Sequence, residues 1–277
     1  MFANNYYCLV AGLREYTLDS EKKGFDAREI VSDILAELSK SDAEAVRLLY
    51  GYYDCENIIA MRSGRAAFNA LGNFSREELA EELEAPKHLP KGVAKVVRLY
   101  AAPDSEEAEG TDFSLGFEKA LWTAYYDECS HSKCSFLRAW SAFDCTLRNV
   151  SAAAVARAID RPVEEVVIGE GYIVKQLRRS SAADFGLRGE VSYLDAVIAA
   201  VNDEQNLVEK EHKIDLIRWE QALELTSFDY FNINAILSYL VRINIVARWA
   251  VLDAKRGRDM LERIMAELDG KDLINKQ

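Results

Sequence analysis

The chain has 277 residues, 49% of them hydrophobic and 29% charged, with a formal charge of −12. That length suits one large core or two or three lobes sharing a surface, and the composition excludes disorder over most of the chain. Only 4 Pro and 14 Gly leave too few turn residues for an all-β sandwich; residues 1–112 carry 13 basic against 21 acidic side chains and residues 113–277 carry 21 against 25, which argues against nucleic acid as a partner.

The opening Tyr6–Leu13 is short and apolar and fits either a buried strand or a first helical turn. Asp19 or Ser20 is placed to cap a helix whose stripe runs Phe25, Ile30, Ile34, Leu35 and Leu38. Ser41 with Glu44 forms a capping-box pattern ahead of a helix through Val46, Leu49, Tyr50, Tyr53, Ile58 and Met61. After a break at Gly64 and Gly72, Ser75 with Glu78 forms a second capping box, opening an acidic helix over 76–84. Pro90 suits the first position of the next helix. The acidic stretch 104–112 reads as a linker between an N-terminal helical lobe, 1–103, and a long-helix part, 113–277.

Beyond the linker the spacing predicts helices over 113–128 and 134–159, a turn between them, and a short helix after Pro162 that ends at Gly169. Two very long helices are then expected, 193–225 and, capped by Thr226 with Asp229, one through Phe228, Tyr239, Arg242 and Trp249. A last amphipathic stretch covers 258–268. The fold class is all-α, with long antiparallel helices in two or three related lobes. Tyr53-Asp54-Cys55-Glu56-Asn57 is similar to Phe143-Asp144-Cys145 followed by Asn149, which is either chance or an internal repeat.

No apolar run reaches a membrane span's length, and Met1–Asn5 lacks the charge of a signal peptide. The five scattered cysteines suit reduced thiols and a cytoplasmic protein. Cys129, His131 and Cys134 are the nearest approach to a metal cluster, but a structural zinc site wants four ligands, and a plain turn between helices explains them better. Gly169-Glu170-Gly171 lacks the third glycine of a dinucleotide loop, and there is no phosphate-binding Gly-Lys-Ser/Thr motif. No catalytic residue and no cofactor site follows from these patterns. Arg218-Trp219 and Arg248-Trp249 are either core tryptophans beside surface arginines or anchors of an interface. Asp184, near Arg178, Arg179 and Arg188, reads as an ion-pair cluster or an ordinary turn.

Asn5–Leu13, Leu147-Arg148-Asn149, Ser181–Leu187, Asp215–Trp219, Phe228–Phe231 and Arg248–Asp253 together resemble a bacterial family of unknown function encoded among V/A-type ATPase subunits, notably in Bacteroidetes. Arg14-Glu15 departs from that family's usual Leu-Pro. The family in turn resembles the C subunit of V/A-type ATPases (d in eukaryotes), an all-helical funnel of three similar lobes on the membrane rotor ring. Asp54-Cys55-Glu56-Asn57 is similar to a sequence that recurs in that subunit. The resemblance implies a non-catalytic rotor coupling subunit, peripheral at the inner face of the membrane, with the central stalk and membrane ring as partners. It marks Arg148, Asn149, Asp184, Arg218, Trp219, Arg248 and Trp249 as interface candidates. An assembly factor of the same machine and a small Cys/His enzyme are the alternatives.

Overall fold

The computed structural model of the protein describes residues 4–18, 25–202 and 207–251. Among these residues the regular elements are all helical. They are α1 (Tyr7–Gly12), α2 (Ala27–Glu37), α3 (Lys40–Arg62), α4 (Arg76–Glu84), α5 (Lys91–Ala101), α6 (Phe117–Ser130), α7 (Ser135–Ala158), α8 (Tyr172–Arg179), α9 (Leu194–Asn202), α10 (Leu207–Glu224) and α11 (Ile233–Val251). No described helix is long and apolar enough to cross a membrane.

Local signals set most of the helix starts. Ser75 and Glu78 form the expected reciprocal capping box at α4. The expected box at Ser41 is displaced: Ser39 caps α3 through the Asp42 N–H, because Asp42 also accepts from Tyr6 and Asn4 of the N-terminal segment. Asp26 caps α2, whereas Asp19 and Ser20 lie outside the described residues, as does the stretch 258–268. Pro90 precedes the first residue of α5 rather than occupying it. The helix expected from Phe113 is interrupted, since Gly116, at φ 78, ends a short 3₁₀ turn and α6 begins after it. Pro162 likewise opens only a 3₁₀ turn.

The largest correction concerns 193–225. The described residues give two helices there, and Lys210 Nζ donates to the Val201 carbonyl at 2.6 Å. A continuous helix would place those residues ~13 Å apart, so α10 folds back on α9. Apolar periodicity cannot register such a reversal, because both helices offer a stripe to the same core. Thr226 turns back to the Ala222 carbonyl and closes α10, while Asn232 caps α11 by accepting from the Asn234 and Ala235 N–H groups.

One buried cluster joins residues from both sides of the acidic stretch 104–112, with Ile58, Leu79, Val97, Leu121, Leu147, Val197 and Leu240 all inside it. Within the stretch Ala108 is buried and Glu107 pairs with Arg98 of α5. The long helices α3, α7 and α11 each follow a shorter helix across a turn. They run 23, 24 and 19 residues. Each carries a buried asparagine followed by an aliphatic residue, any residue and alanine: Asn57-Ile58-Ile59-Ala60, Asn149-Val150-Ser151-Ala152 and Asn244-Ile245-Val246-Ala247. Asn149 follows Asn57 by 92 residues, and Asn244 follows Asn149 by 95.

Candidate functional site

A cavity of about 1230 Å³ lies where these helices meet. Its wall draws Tyr52, Tyr53 and Glu56 from α3, Trp140, Asp144 and Arg148 from α7, and Asn244, Ile245 and Arg248 from α11. The shorter helices add Ala27 and Arg28 of α2, Trp122, Tyr125 and Tyr126 of α6, and Glu211, Asp215 and Arg218 of α10. All six helices of the three pairs therefore contribute.

A chain of charges runs along this wall. The Tyr126 hydroxyl donates to Asp144 at 2.7 Å, and Arg218 Nε donates to the same carboxylate at 3.1 Å. Arg218 Nη1 continues to Asp215 at 3.1 Å. Asp215 also accepts from Arg248 Nη1 and from Trp249 Nε1, each at 2.9 Å to Oδ2. Arg248 ends the chain on Glu211. Asp144 and Asp215 are buried, so each charge relies on these partners in place of water. Burial opposes the charge of Arg218, but Asp144, Tyr52 and Asp215 outweigh it and hold its pKa above the ordinary arginine value. The network thus links α6, α7, α10 and α11 by charge-assisted bonds, the strong kind.

Beside this chain, one turn along α7 from Asp144, the wall is less saturated. Arg148 stacks over Trp122, 4.3 Å from its centroid, and meets the exposed Glu118 only at 3.8 Å. Burial pushes the Glu56 carboxyl up, against Asn69 and the arginines 148, 248 and 218. Tyr52, Trp122, Tyr125 and Tyr126 form an aromatic group behind these charges.

Two of the repeated asparagines are backbone clamps. Asn57 accepts from the Asn69 N–H at 2.6 Å and donates to the Asn69 carbonyl at 2.9 Å. Asn149 does the same to Ile168, at 2.9 and 3.0 Å. Each pins the loop that follows its own long helix, and loop residues Ala67–Leu71 line the cavity. Asn244 accepts from the Tyr50 hydroxyl at 2.8 Å and so ties α11 to α3. Beside Asn57, Asp54 accepts from the Asn73 and Phe74 N–H groups. Burial raises Asp54 to about 6 against those bonds. Gly72 is required there: a Cβ would lie 2.6 Å from Asp54 Oδ1 and 3.0 Å from Asn57 Nδ2.

The structure therefore brings Arg148, Arg218 and Arg248 to one cavity, with Trp249 bonded into its network, although they are far apart in sequence. Trp219 is not among the cavity-lining residues and packs against the core, under Arg242. Reading the arginines as simple surface partners of core tryptophans fails at Arg218, whose side chain is mostly buried between two aspartates. Asp184 stands apart from the cavity. It accepts from the Gly186 N–H and meets the exposed Arg188 at 3.8 Å, which makes it a turn residue. Cys129, His131 and Cys134 do not converge. Cys129 is buried with its thiol pushed up to about 12, the His131 ring turns back to the Asp127 carbonyl at the surface, and Cys134 faces Asn234. Among the described residues no group of His, Cys, Asp and Glu is placed to hold a metal ion.

Glu56, Asp144 and Asp215 entered the sequence reasoning only within matched segments, not as site residues, and Asn244 did not enter it. Their signal is an acid or amide falling on the apolar stripe of a helix, as Asp144 does between Trp140 and Leu147. Such a residue is buried and must find a partner.

The chain belongs to the family described as "Protein of unknown function (DUF2764)", which it matches over residues 3–271. No curated protein and no solved structure matches it.

Proposed function

We propose that this member of the family is a non-catalytic coupling subunit of a V/A-type ATPase, C-like in role, and that its cavity is the socket for the foot of the central stalk. The observation that carries the reading is the tandem recurrence of a helix pair. Three long helices bear the same Asn-aliphatic-x-Ala sequence at intervals of 92 and 95 residues, and all three pairs line one cavity. A helix pair that recurs three times around one cavity would suit the three-lobed funnel that the sequence resembles.

Torque transmission requires that the adaptor not dissipate rotation in its own deformation. Close-packed helices resist deformation. The chain of charges from the buried Tyr126 to the half-exposed Glu211 adds directional bonds across four of them. The less saturated Arg148 and Glu56 leave polar capacity on the wall for an inserted helix tip.

The test is purification of the ATPase from native membranes in gentle detergent, with quantitative mass spectrometry of its subunits. One copy per assembly is expected. Its absence from the complex refutes the reading, and a copy present only in immature complexes reassigns it to assembly.

A further inference from the structure

The turns that open the three long helices meet at one end of the molecule. The Tyr6 N–H donates to the Phe231 carbonyl at 2.6 Å, and its hydroxyl reaches Asp42 and the Ser39 N–H at the start of α3. Asn234, at the start of α11, accepts from the Phe136 N–H and donates to Ser135 at the start of α7. Asp229 braces Asn232 and Asn234 from within the α10–α11 turn. The residues at this end are therefore fixed to one another.

On this braced end sit aromatic side chains that the core does not use. Phe228 is 90% exposed, Tyr230 67% and Tyr7 58%, and the Phe231 ring lies 4.7 Å from that of Tyr7, tilted against it, while still 39% exposed. Large apolar side chains scattered singly over a surface need no explanation, but four aromatics on one hydrogen-bonded end mark a contact surface. Tyr and Phe are also favoured at interface centres.

The charge of the α10–α11 turn that carries Phe228, Tyr230 and Phe231 indicates the partner; Lys40, Lys133 and Arg138 are exposed at the starts of α3 and α7. Between Arg218 and Arg242 the chain has no lysine, arginine or histidine, but it carries Glu220, Glu224 and Asp229. Glu220 and Glu224 are exposed, with no ion-pair partner among the described residues. They stand at the C-terminal end of α10, whose last turn holds no basic residue. The helix dipole disfavours acids there, so their placement works against the helix. It suits a cationic neighbour instead, and aromatic faces attract cations as well.

We propose that Tyr7, Phe228, Tyr230 and Phe231, flanked by Glu220 and Glu224, form a docking surface for a basic, apolar protein surface. Resting on the coupling reading, that partner is the cytoplasmic loop end of the membrane ring, since such loops carry an excess of Lys and Arg. An anionic lipid surface is disfavoured, because these acids and a net charge of −12 repel it.

The test uses the whole ATPase in native membranes, with a benzophenone amino acid at Phe228 and, as control, at the exposed Lys95. Phe228 should photo-cross-link to the ring subunit and Lys95 should not. E220K/E224K, two exposed changes, should lower retention on the complex about tenfold at moderate salt, with helix content unchanged by circular dichroism. A complex that keeps the protein while Phe228 labels a stalk subunit, lipid or nothing refutes the docking surface and leaves the coupling reading standing. Unchanged retention of E220K/E224K also refutes it. A protein absent from the complex overturns both.

Discussion

Replacing Asp215 by Asn is the sharpest probe of the cavity wall. The side chain is 1% exposed and accepts from Arg218, Arg248 and Trp249, so the change keeps the volume and removes the charge that two guanidinium groups share. Removing one partner of a buried ion pair costs ~3–5 kcal/mol. Arg218 keeps Asp144 and Arg248 keeps Glu211, which places this substitution near ~3 kcal/mol. For a chain of this size each kcal/mol moves the melting temperature by ~2 °C, so a drop of ~6 °C is expected by calorimetry. Arg218→Met alone should cost a similar amount, because it leaves the buried Asp144 with only the Tyr126 hydroxyl, while Asp215 keeps Arg248 and Trp249. The double variant should then be less destabilised than the sum of the singles by ~1–2 kcal/mol, since the Arg218–Asp215 contact that both singles remove is lost only once. Strict additivity in urea unfolding would refute the network, showing that each group is solvated on its own.

Gly72→Ala drives a methyl group into Asp54 and Asn57 and should cost ~1–3 kcal/mol, with faster proteolysis in the loop that lines the cavity. Asp54, raised to about 6 by burial, favours the folded state most below its unfolded value, and that contribution is lost as pH rises through 6. The stability of the wild type relative to Asp54→Asn should therefore increase as pH falls from about 7 to about 4, by at most ~1.4 kcal/mol per pH unit, and a flat difference would contradict this. Cys8 is exposed while Cys55 and Cys129 are buried, with the Cys129 thiol pushed up to about 12, so native protein should show Cys8 as its fastest thiol and no reaction at Cys129 before unfolding.

Much of the fold was legible because its signals are local. The Ser75–Glu78 box needs only residues three apart, and α7 announces itself by a stripe from Phe136 to Val150. Ser39 and Ser41 both head acceptable capping patterns. The choice between them is made by Tyr6, which sequence spacing cannot bring to Asp42. The same limit hid the reversal between α9 and α10. It also governed the site. Arg148, Arg218 and Arg248 stood out as residues, but what they do is set by Asp144 and Asp215, and their meeting depends on α7, α10 and α11 sharing one cavity. The third buried Asn-aliphatic-x-Ala, at Asn244, follows a partly exposed match at Asn232-Ile233-Asn234-Ala235, and only burial tells the two apart. The Asn244 segment lacks the Asp-Cys pair that makes Asp54 and Asp144 easy to match.

The choice of charges over an apolar wall has a physical logic of its own. A well-packed hydrophobic substitute for a buried ion pair is often equally or more stable, so stability alone does not explain Asp144-Arg218-Asp215-Arg248. Apolar contacts, however, are non-directional and permit helices to slide between alternative packings. Arg218 bonds Asp144 through Nε and Asp215 through Nη1, two fixed directions from one planar group, and Asp215 receives Arg248 and Trp249 from a third helix. Sliding α10 along α7 or α11 by one residue, about 1.5 Å, would strain or break several of these bonds at once. In the coupling role proposed above, an adaptor under load would benefit from that penalty on slippage more than from extra depth in its folding minimum. The clamps at Asn57 and Asn149 act in the same sense on the loops, fixing the backbone donor and acceptor of one loop residue to a long helix.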